Sequence, residues 1–118
     1  MPKGYGKIYK SDGSVYLGHW KEGKANGEGV YVMKNGSYYD GAFHNNKAEG
    51  IGKFISKNFY YEGHFVQNKF QGVGTEKGEN HTYHGEYFEG CKEKGIYKWQ
   101  DKDFEYEYHG KFNFNNEF

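Results

Sequence analysis

A five-residue pattern, Tyr-x-Gly-x-aromatic, recurs five times along this 118-residue chain. The leading tyrosines of successive copies are 23, 22, 22 and 25 residues apart. A fixed period of about 20–50 residues is typical of repeat proteins. We therefore predict that the tyrosine, glycine and ring of each copy are structural anchors: Tyr16, Gly18, Trp20, Tyr39, Gly41, Phe43, Tyr61, Gly63, Phe65, Tyr83, Gly85, Tyr87, Tyr108, Gly110 and Phe112.

A second pattern, Gly-x-Gly, runs in phase with the first. It begins 11 residues after the leading tyrosine in three copies, at 27–29, 50–52 and 72–74, and it also stands at 4–6, 12 residues before Tyr16. In the fourth copy Gly95 comes one residue later and no second glycine follows, so we interpret Gly95 as a displaced first glycine. Because the two patterns repeat together, we expect one complete domain over residues 1–118.

Polar residues mostly occupy the positions between the anchors, and a period of two indicates a strand with one buried face. Pairs such as Asn35-Gly36 separate the copies and are typical of hairpin turns. The connections inside each copy are expected to be longer polar loops, at 22–26, 45–49, 67–71 and 89–94. The sequence thus predicts an all-β fold, an elongated, solenoid-like single-layer antiparallel sheet of about five stacked hairpins and about ten strands, the first near 4–9 and the last near 105–113.

The repeated glycine explains how large rings share one face of such a sheet. Gly63, for example, lacks a Cβ, so that Tyr61 and Phe65 can lean across it. Neighbouring strands lie about 4.8 Å apart, so that five stacked hairpins would form a rod of about 48 Å.

Composition requires a core of rings. Aromatic residues make up 21% of the chain and 19 residues are glycine, whereas aliphatic residues are scarce. Disordered chains are usually poor in aromatic residues, so a folded chain is expected. The 16 basic residues are all lysine and balance 16 acids. Because nucleic-acid binding favours a basic surface and the arginine fork, we expect no nucleic-acid partner.

Cys91 is the only cysteine, which excludes an intrachain disulfide and is typical of a reducing compartment. The N-terminus lacks the apolar region of a signal peptide. No stretch approaches the ~18 apolar residues of a membrane span. We therefore expect an intracellular protein that is not secreted.

No catalytic constellation stands out. The Gly-x-Gly pairs lack the helix and the Gly-Lys-Ser/Thr of a phosphate loop. His19 and His64 share a register but lie roughly 19 Å apart by strand spacing, too far to share a metal ion. Cys91 stands where other copies carry lysine, and we interpret it as a loop substitution. We expect no enzymatic activity, no cofactor and no metal site.

Residues 16–29, Tyr-Leu-Gly-His-Trp-Lys-Glu-Gly-Lys-Ala-Asn-Gly-Glu-Gly, resemble the MORN repeat (membrane occupation and recognition nexus). The resemblance covers the chain, although the fourth copy departs in its glycines and the fifth is half a unit. It implies an elongated sheet with a groove, as in membrane-junction proteins, radial spoke heads of cilia, protist cytoskeletal scaffolds and modules attached to lipid kinases and lysine methyltransferases. It also implies a location in the cytoplasm, at the cytoskeleton or cilium, or on a membrane surface.

The first functional hypothesis is a non-enzymatic scaffold or adaptor in a cytoskeletal, ciliary or membrane-associated assembly. It would bind protein partners through its groove, sheet face or terminal strands, and we favour an amphipathic helix in an apolar groove. Terminal strands also predict contacts between copies of the chain, as a homo-oligomer. Rings that either bind partners or complete and cap the core are Tyr31, Phe54, Phe70, Phe88, Trp99, Phe114 and Phe118.

The alternative hypothesis is a peripheral phospholipid-binding module that tethers an assembly to a membrane. Lys24, Lys47 and Lys69 recur at one offset of the repeat and are candidate lipid-headgroup ligands along one edge. The zero net charge weakens the attraction to an anionic membrane, so the scaffold is favoured.

Overall fold

The computed structural model describes residues 4–112, which form one open antiparallel sheet of ten strands. Each strand pairs only with its neighbours in sequence, and the predicted elongated, single-layer all-β fold is confirmed. The described residues extend 54 Å along the longest axis, close to the predicted rod. The strands are β1 (Gly4–Tyr9), β2 (Val15–Lys21), β3 (Lys24–Val32), β4 (Tyr38–His44), β5 (Lys47–Ser56), β6 (Phe59–Val66), β7 (Lys69–Lys77), β8 (His81–Phe88), β9 (Cys91–Gln100) and β10 (Glu105–Lys111).

One glycine in every strand lies opposite a glycine of the next strand. A Cβ on Gly63 would lie 2.6 Å from Gly74 Cα and 2.7 Å from Tyr61 Oη. Neither the neighbouring backbone nor the tyrosine therefore leaves room for a side chain. These residues form the glycine row: Gly6, Gly18, Gly29, Gly41, Gly52, Gly63, Gly74, Gly85, Gly95 and Gly110.

The leading tyrosine of each copy lies across the glycine row. Tyr61 Oη donates a hydrogen bond to the backbone oxygen of His64 at 2.9 Å. The other four leading tyrosines make the same bond to the residue three positions ahead. The face of the sheet that carries these rings is called the ring face. The hydrogen bond pairs the hydroxyl on this face, where an unpaired polar group would destabilise the fold.

The core of the sheet is a zigzag of rings in edge-to-face contact. Neighbouring ring centroids are 4.8–5.5 Å apart and the ring planes are 79–90° to each other. From the second copy on, the last ring contacts both its own tyrosine and that of the copy before, which joins the copies. In order along the sheet, this ring zigzag comprises Tyr16, Phe43, Tyr39, Phe65, Tyr61, Tyr87, Tyr83, Phe112 and Tyr108.

The connections inside each copy are shorter than the sequence predicts. The loops expected at 22–26, 45–49, 67–71 and 89–94 are instead two-residue turns, and the next strand begins at once. Asn45 and Asn46 have φ angles of 47° and 71°, the type I′ geometry that matches the twist of a hairpin. Lys47 and Ala48 already pair with His44 and Phe43, and only Glu49 of the expected loop lies in a β-bulge, where the pairing shifts between Gly41 and Phe43.

The fourth copy has a shorter bulge. Gly95 lies opposite Gly85 in the glycine row, so it is the second glycine of the Gly-x-Gly pattern. Its interpretation as a displaced first glycine is therefore wrong. The glycine without a counterpart is the one equivalent to Gly72, whose φ of 77° lies in the left-handed region that favours glycine.

Replacement of Gly63 by valine should lower the free energy of unfolding by about 3 kcal/mol, because the new side chain overlaps the Gly74 backbone and Tyr61. Glu62→Val is the matched control, since Glu62 is exposed on the opposite face and its replacement should change stability by less than about 0.5 kcal/mol. Urea unfolding followed by circular dichroism compares the two. A larger loss for Glu62→Val would contradict the close packing of tyrosine over glycine.

Candidate functional site

An open groove, which we call the aromatic groove, runs along the ring face above β3 to β7 and has a volume of about 560 Å³. It exists because β3 and β5 carry Ala25 and Ala48 where β7 carries Phe70. Phe70 stacks on Tyr61, with 3.8 Å between ring centroids, and closes the groove at that end. The lining residues are Lys10, Tyr31, Met33, Tyr39, Phe43, Asn46, Ala48, Phe54, Phe65, Asn68 and Phe70.

One long side of the aromatic groove is a rim of amides supplied by the type I′ turns. The Oδ1 atom of Asn46 accepts a hydrogen bond from the backbone nitrogen of Ala25 at 2.7 Å. Asn68 makes the same bond to Ala48 at 2.8 Å. Each turn is thereby fixed to the hairpin before it, so that the rim is held in place before any ligand binds.

The other long side is formed by rings beside a lysine. Tyr31 Oη donates a hydrogen bond to Ser14 Oγ at 3.0 Å, which fixes the orientation of the Tyr31 ring. Lys10 Nζ lies 5.1 Å from the centroid of that ring, within the range of a cation–π contact. A half-buried apolar wall therefore ends beside a positive charge.

Beyond Phe70, the ring face carries a buried carboxylate, that of Glu76, which is 4% exposed. Glu76 lies opposite Tyr61 and Tyr83, at the position that Phe54 holds in β5. Sequence reasoning missed this residue, since a single charge in an alternating strand is usually solvated. The available signal was that both Glu76 and Lys92 break the repeat, since Lys92 stands where the first two copies carry alanine and the third carries Phe70.

Three side chains satisfy the Glu76 carboxylate. Tyr87 Oη donates to its Oε1 atom at 2.9 Å, while His81 Nε2 and Lys92 Nζ lie 2.6 Å and 3.1 Å from its Oε2 atom. A charge buried in this way needs such partners, because its desolvation is costly. Glu76, His81, Tyr87 and Lys92 form the buried polar cluster, which separates the aromatic groove from the rings of the last two strands.

Burial of the tyrosines on the ring face opposes their ionisation. It raises the pKa of Tyr61 and of Tyr83 to about 12. Burial, and then the negative charge of Glu76, raises the pKa of Tyr87 above its ordinary value. Tyr87 thus stays a neutral hydroxyl that donates to Glu76 at physiological pH.

The three lysines predicted as headgroup ligands occupy equivalent places. Lys24, Lys47 and Lys69 each begin a strand immediately after a type I′ turn, and all three are exposed. Lys47 Nζ donates to Gln67 Oε1 at 3.1 Å. Lys47 pairs with His44 on the face opposite the rings, which we call the reverse face. Lys24, Lys47 and Lys69 therefore form a row at the edge of this face, the lysine row.

The sequence matches the family model for the MORN repeat at residues 16–38, 39–58 and 61–83, which is more than half of the chain. The chain belongs to the MORN-repeat family. MORN repeats are known in scaffold and membrane-binding proteins, and such proteins are generally not enzymes. A comparison with curated proteins returns no significant match.

The seven rings predicted to bind partners separate within this MORN sheet. Tyr31, Phe54 and Phe70 line the aromatic groove. Phe88 lies on the reverse face and is 55% exposed, whereas Trp99 stacks on Tyr106 near the last turn, with 4.9 Å between ring centroids. Phe114 and Phe118 lie outside the described residues. The structure therefore brings three of the seven rings together.

Among residues 4–112, no helix is long and apolar enough to cross a lipid bilayer. Within the same residues, no group of three or more His, Cys, Asp and Glu side chains is placed to hold a metal ion.

Replacement of Glu76 by phenylalanine should lower the free energy of unfolding by about 3 kcal/mol, because it removes the carboxylate that Lys92 and Tyr87 contact. The double variant Glu76→Phe with Lys92→Ala introduces the residue types that β5 carries at the two equivalent repeat positions, Phe54 and Ala48, and it should recover at least half of the loss. Urea unfolding of the wild type, both single variants and the double variant completes the thermodynamic cycle. Additive losses would contradict the coupling.

The MORN sheet should unfold at alkaline pH. Tyr61 and Tyr83 have folded-state pKa values raised from 10.0 to about 12, so that the folded state holds its protons more tightly than the unfolded state. Their contribution to stability is fully present below pH 10 and is lost as pH rises through about 12. Tyrosinate absorbance and circular dichroism, measured in one titration, should change together. Ionisation of these tyrosines near pH 10 without unfolding would contradict this prediction.

Proposed function

We propose that this MORN protein is a non-enzymatic scaffold that binds a partner protein through the aromatic groove. The observation that carries this proposal is the open row of half-buried rings, Tyr31, Phe54 and Phe70, over a floor of fixed side chains. Aromatic side chains in a preformed pocket are common anchors of protein interfaces. The fixed amide rim reduces the ordering that binding requires.

The groove offers shape and apolar surface rather than acid–base chemistry. Among the described residues that line it, Lys10 is the only titratable one apart from the tyrosines. An apolar trough with polar sides suits an amphipathic helix, whose apolar face enters and whose polar face remains in water. The expected setting is an intracellular assembly at the cytoskeleton, a cilium or a membrane. Among the described strands, β1 and β10 each pair with one neighbour, and their outer edges are proposed to join further copies.

Replacement of Tyr31 and Phe54 by alanine should abolish capture of the partner from native extract while leaving the sheet folded, since both rings are only half-buried. Phe88→Ala is the matched control, because Phe88 is an exposed ring on the reverse face. Affinity purification with mass spectrometry compares the three proteins, and circular dichroism verifies their folding. A partner retained equally by the Tyr31→Ala/Phe54→Ala variant would refute binding through the groove.

A second candidate function is attachment to an anionic membrane through the reverse face. Lys24, Lys47 and Lys69 are spaced about 9.6 Å apart by strand geometry. Ile51 and Val73, which are 63% and 51% exposed, lie on the same face as this lysine row. Lysines near an anionic leaflet contribute about 1 kcal/mol each, and exposed apolar side chains add burial at the interface.

Liposome sedimentation tests the membrane hypothesis directly. The wild type should pellet with vesicles that contain phosphatidylserine and remain in solution with purely zwitterionic vesicles. Replacement of the lysine row by glutamine should release the protein from the anionic vesicles. The matched control replaces the exposed lysines Lys10, Lys34 and Lys57, which stand at the turns of the other edge of the sheet, and this control should still sediment. Equal release by the two triple variants would show that the site is not at the lysine row.

A further inference from the structure

Charge is distributed unevenly along the described sheet. Residues 4–74, which contain the aromatic groove, have nine lysines and six acids, whereas residues 75–112 have six lysines and nine acids. The groove therefore lies in the basic part of a chain whose net charge is zero. A partner that enters the groove is attracted if it is acidic, since like charges at a binding surface lower affinity and opposite charges raise the association rate.

The basic side chains include a row on the groove's ring-lined side. Lys10, Lys34 and Lys57 stand at the three successive turns that precede β2, β4 and β6. We call these three residues the lysine rim. Lys10 lines the groove, and the stem of Lys34 lies beside Gly13 of the preceding turn.

The same turns hold one acid, Asp12. Its carboxylate is already engaged within its own turn, where it accepts hydrogen bonds from the backbone nitrogen of Ser14 at 2.9 Å and from Ser14 Oγ at 2.6 Å. The opposite rim of the groove is formed by the uncharged amides of Asn46 and Asn68, because Lys47 and Lys69 at that edge belong to the reverse face. The groove thus has one basic side and one neutral side.

Strand geometry sets the spacing and length of a matching ligand. Lysines two strands apart are about 9.6 Å apart, and seven residues of α-helix rise about 10.5 Å. From Tyr31 in β3 to Phe70 in β7 is four strand spacings, about 19 Å, which corresponds to about 13 helical residues. Phe70 and the buried polar cluster close the end beyond this length.

We infer that the groove accepts an amphipathic helix of about 13 residues with acidic side chains seven residues apart along the flank that faces the lysine rim. This inference rests on the proposed groove function and adds the charge, length and orientation of the partner. The apolar face of the helix lies on the rings of the groove floor. Its acidic flank lies beside Lys10, Lys34 and Lys57, and its other flank lies beside the amide rim.

The test is selection from a displayed library of helical peptides of about 14 residues, with a fixed leucine stripe and all flanking positions randomised. The full chain should enrich peptides with Asp or Glu seven residues apart on one flank. The Lys34→Glu/Lys57→Glu variant should instead enrich Lys and Arg there. Lys53→Glu/Lys77→Glu, which changes exposed lysines of the reverse face, should leave the acidic preference unchanged.

One enriched acidic peptide and its lysine counterpart then serve for fluorescence anisotropy. The acidic peptide should bind at least about tenfold more tightly at low salt, as expected for two or three exposed ion pairs, and the difference should shrink as salt is raised. If peptides are enriched without a charge preference, and this enrichment is lost in Tyr31→Ala/Phe54→Ala, the acidic partner is refuted while binding through the groove is supported. Enrichment no greater than that of Tyr31→Ala/Phe54→Ala would refute the groove itself.

Discussion

The edge-to-face contact between a tyrosine and the last ring of the following copy holds this sheet together. A single layer has no second sheet to bury its apolar face, so the rings must cover one another. They do so because the glycine row lets each tyrosine lie flat on the backbone, with its hydroxyl bonded three residues ahead. Each ring contacts only its own copy and an adjacent one, so cohesion passes from neighbour to neighbour, as in other repeat proteins.

The anchors and strands follow from the sequence because a period of two, combined with a repeat of about 22 residues, leaves little choice of fold. The type I′ turns could not be placed in the same way. Neither residue of the turn Asn45-Asn46 is a glycine. The expected loop therefore extended toward Gly50, which the structure places in a β-bulge. The positions of the turn and of the bulge depend on the pairing register between two strands, which the sequence of one strand does not show.

Register also explains which site residues were predictable. Phe88 follows Tyr83 by five residues, an odd number that places its ring on the reverse face, so parity alone could have separated it from Phe54. The burial of Glu76 depends on two strands at once. It becomes evident only when Lys92 of β9 is known to approach the same carboxylate, and the sequence separation of these residues conceals that contact.

A uniform track of repeats would offer equivalent binding registers every two strands, and a ligand could occupy any of them. Phe70 and the buried polar cluster break that translational symmetry at one place. A helix lying in the groove therefore reaches a closed end at Phe70, and this end fixes its position along the sheet. Any further length of the helix would extend from the β3 end of the groove, away from the acidic residues 75–112. A repeat protein can in this way bind its ligand at a single position along the sheet without any change in the number of its repeats.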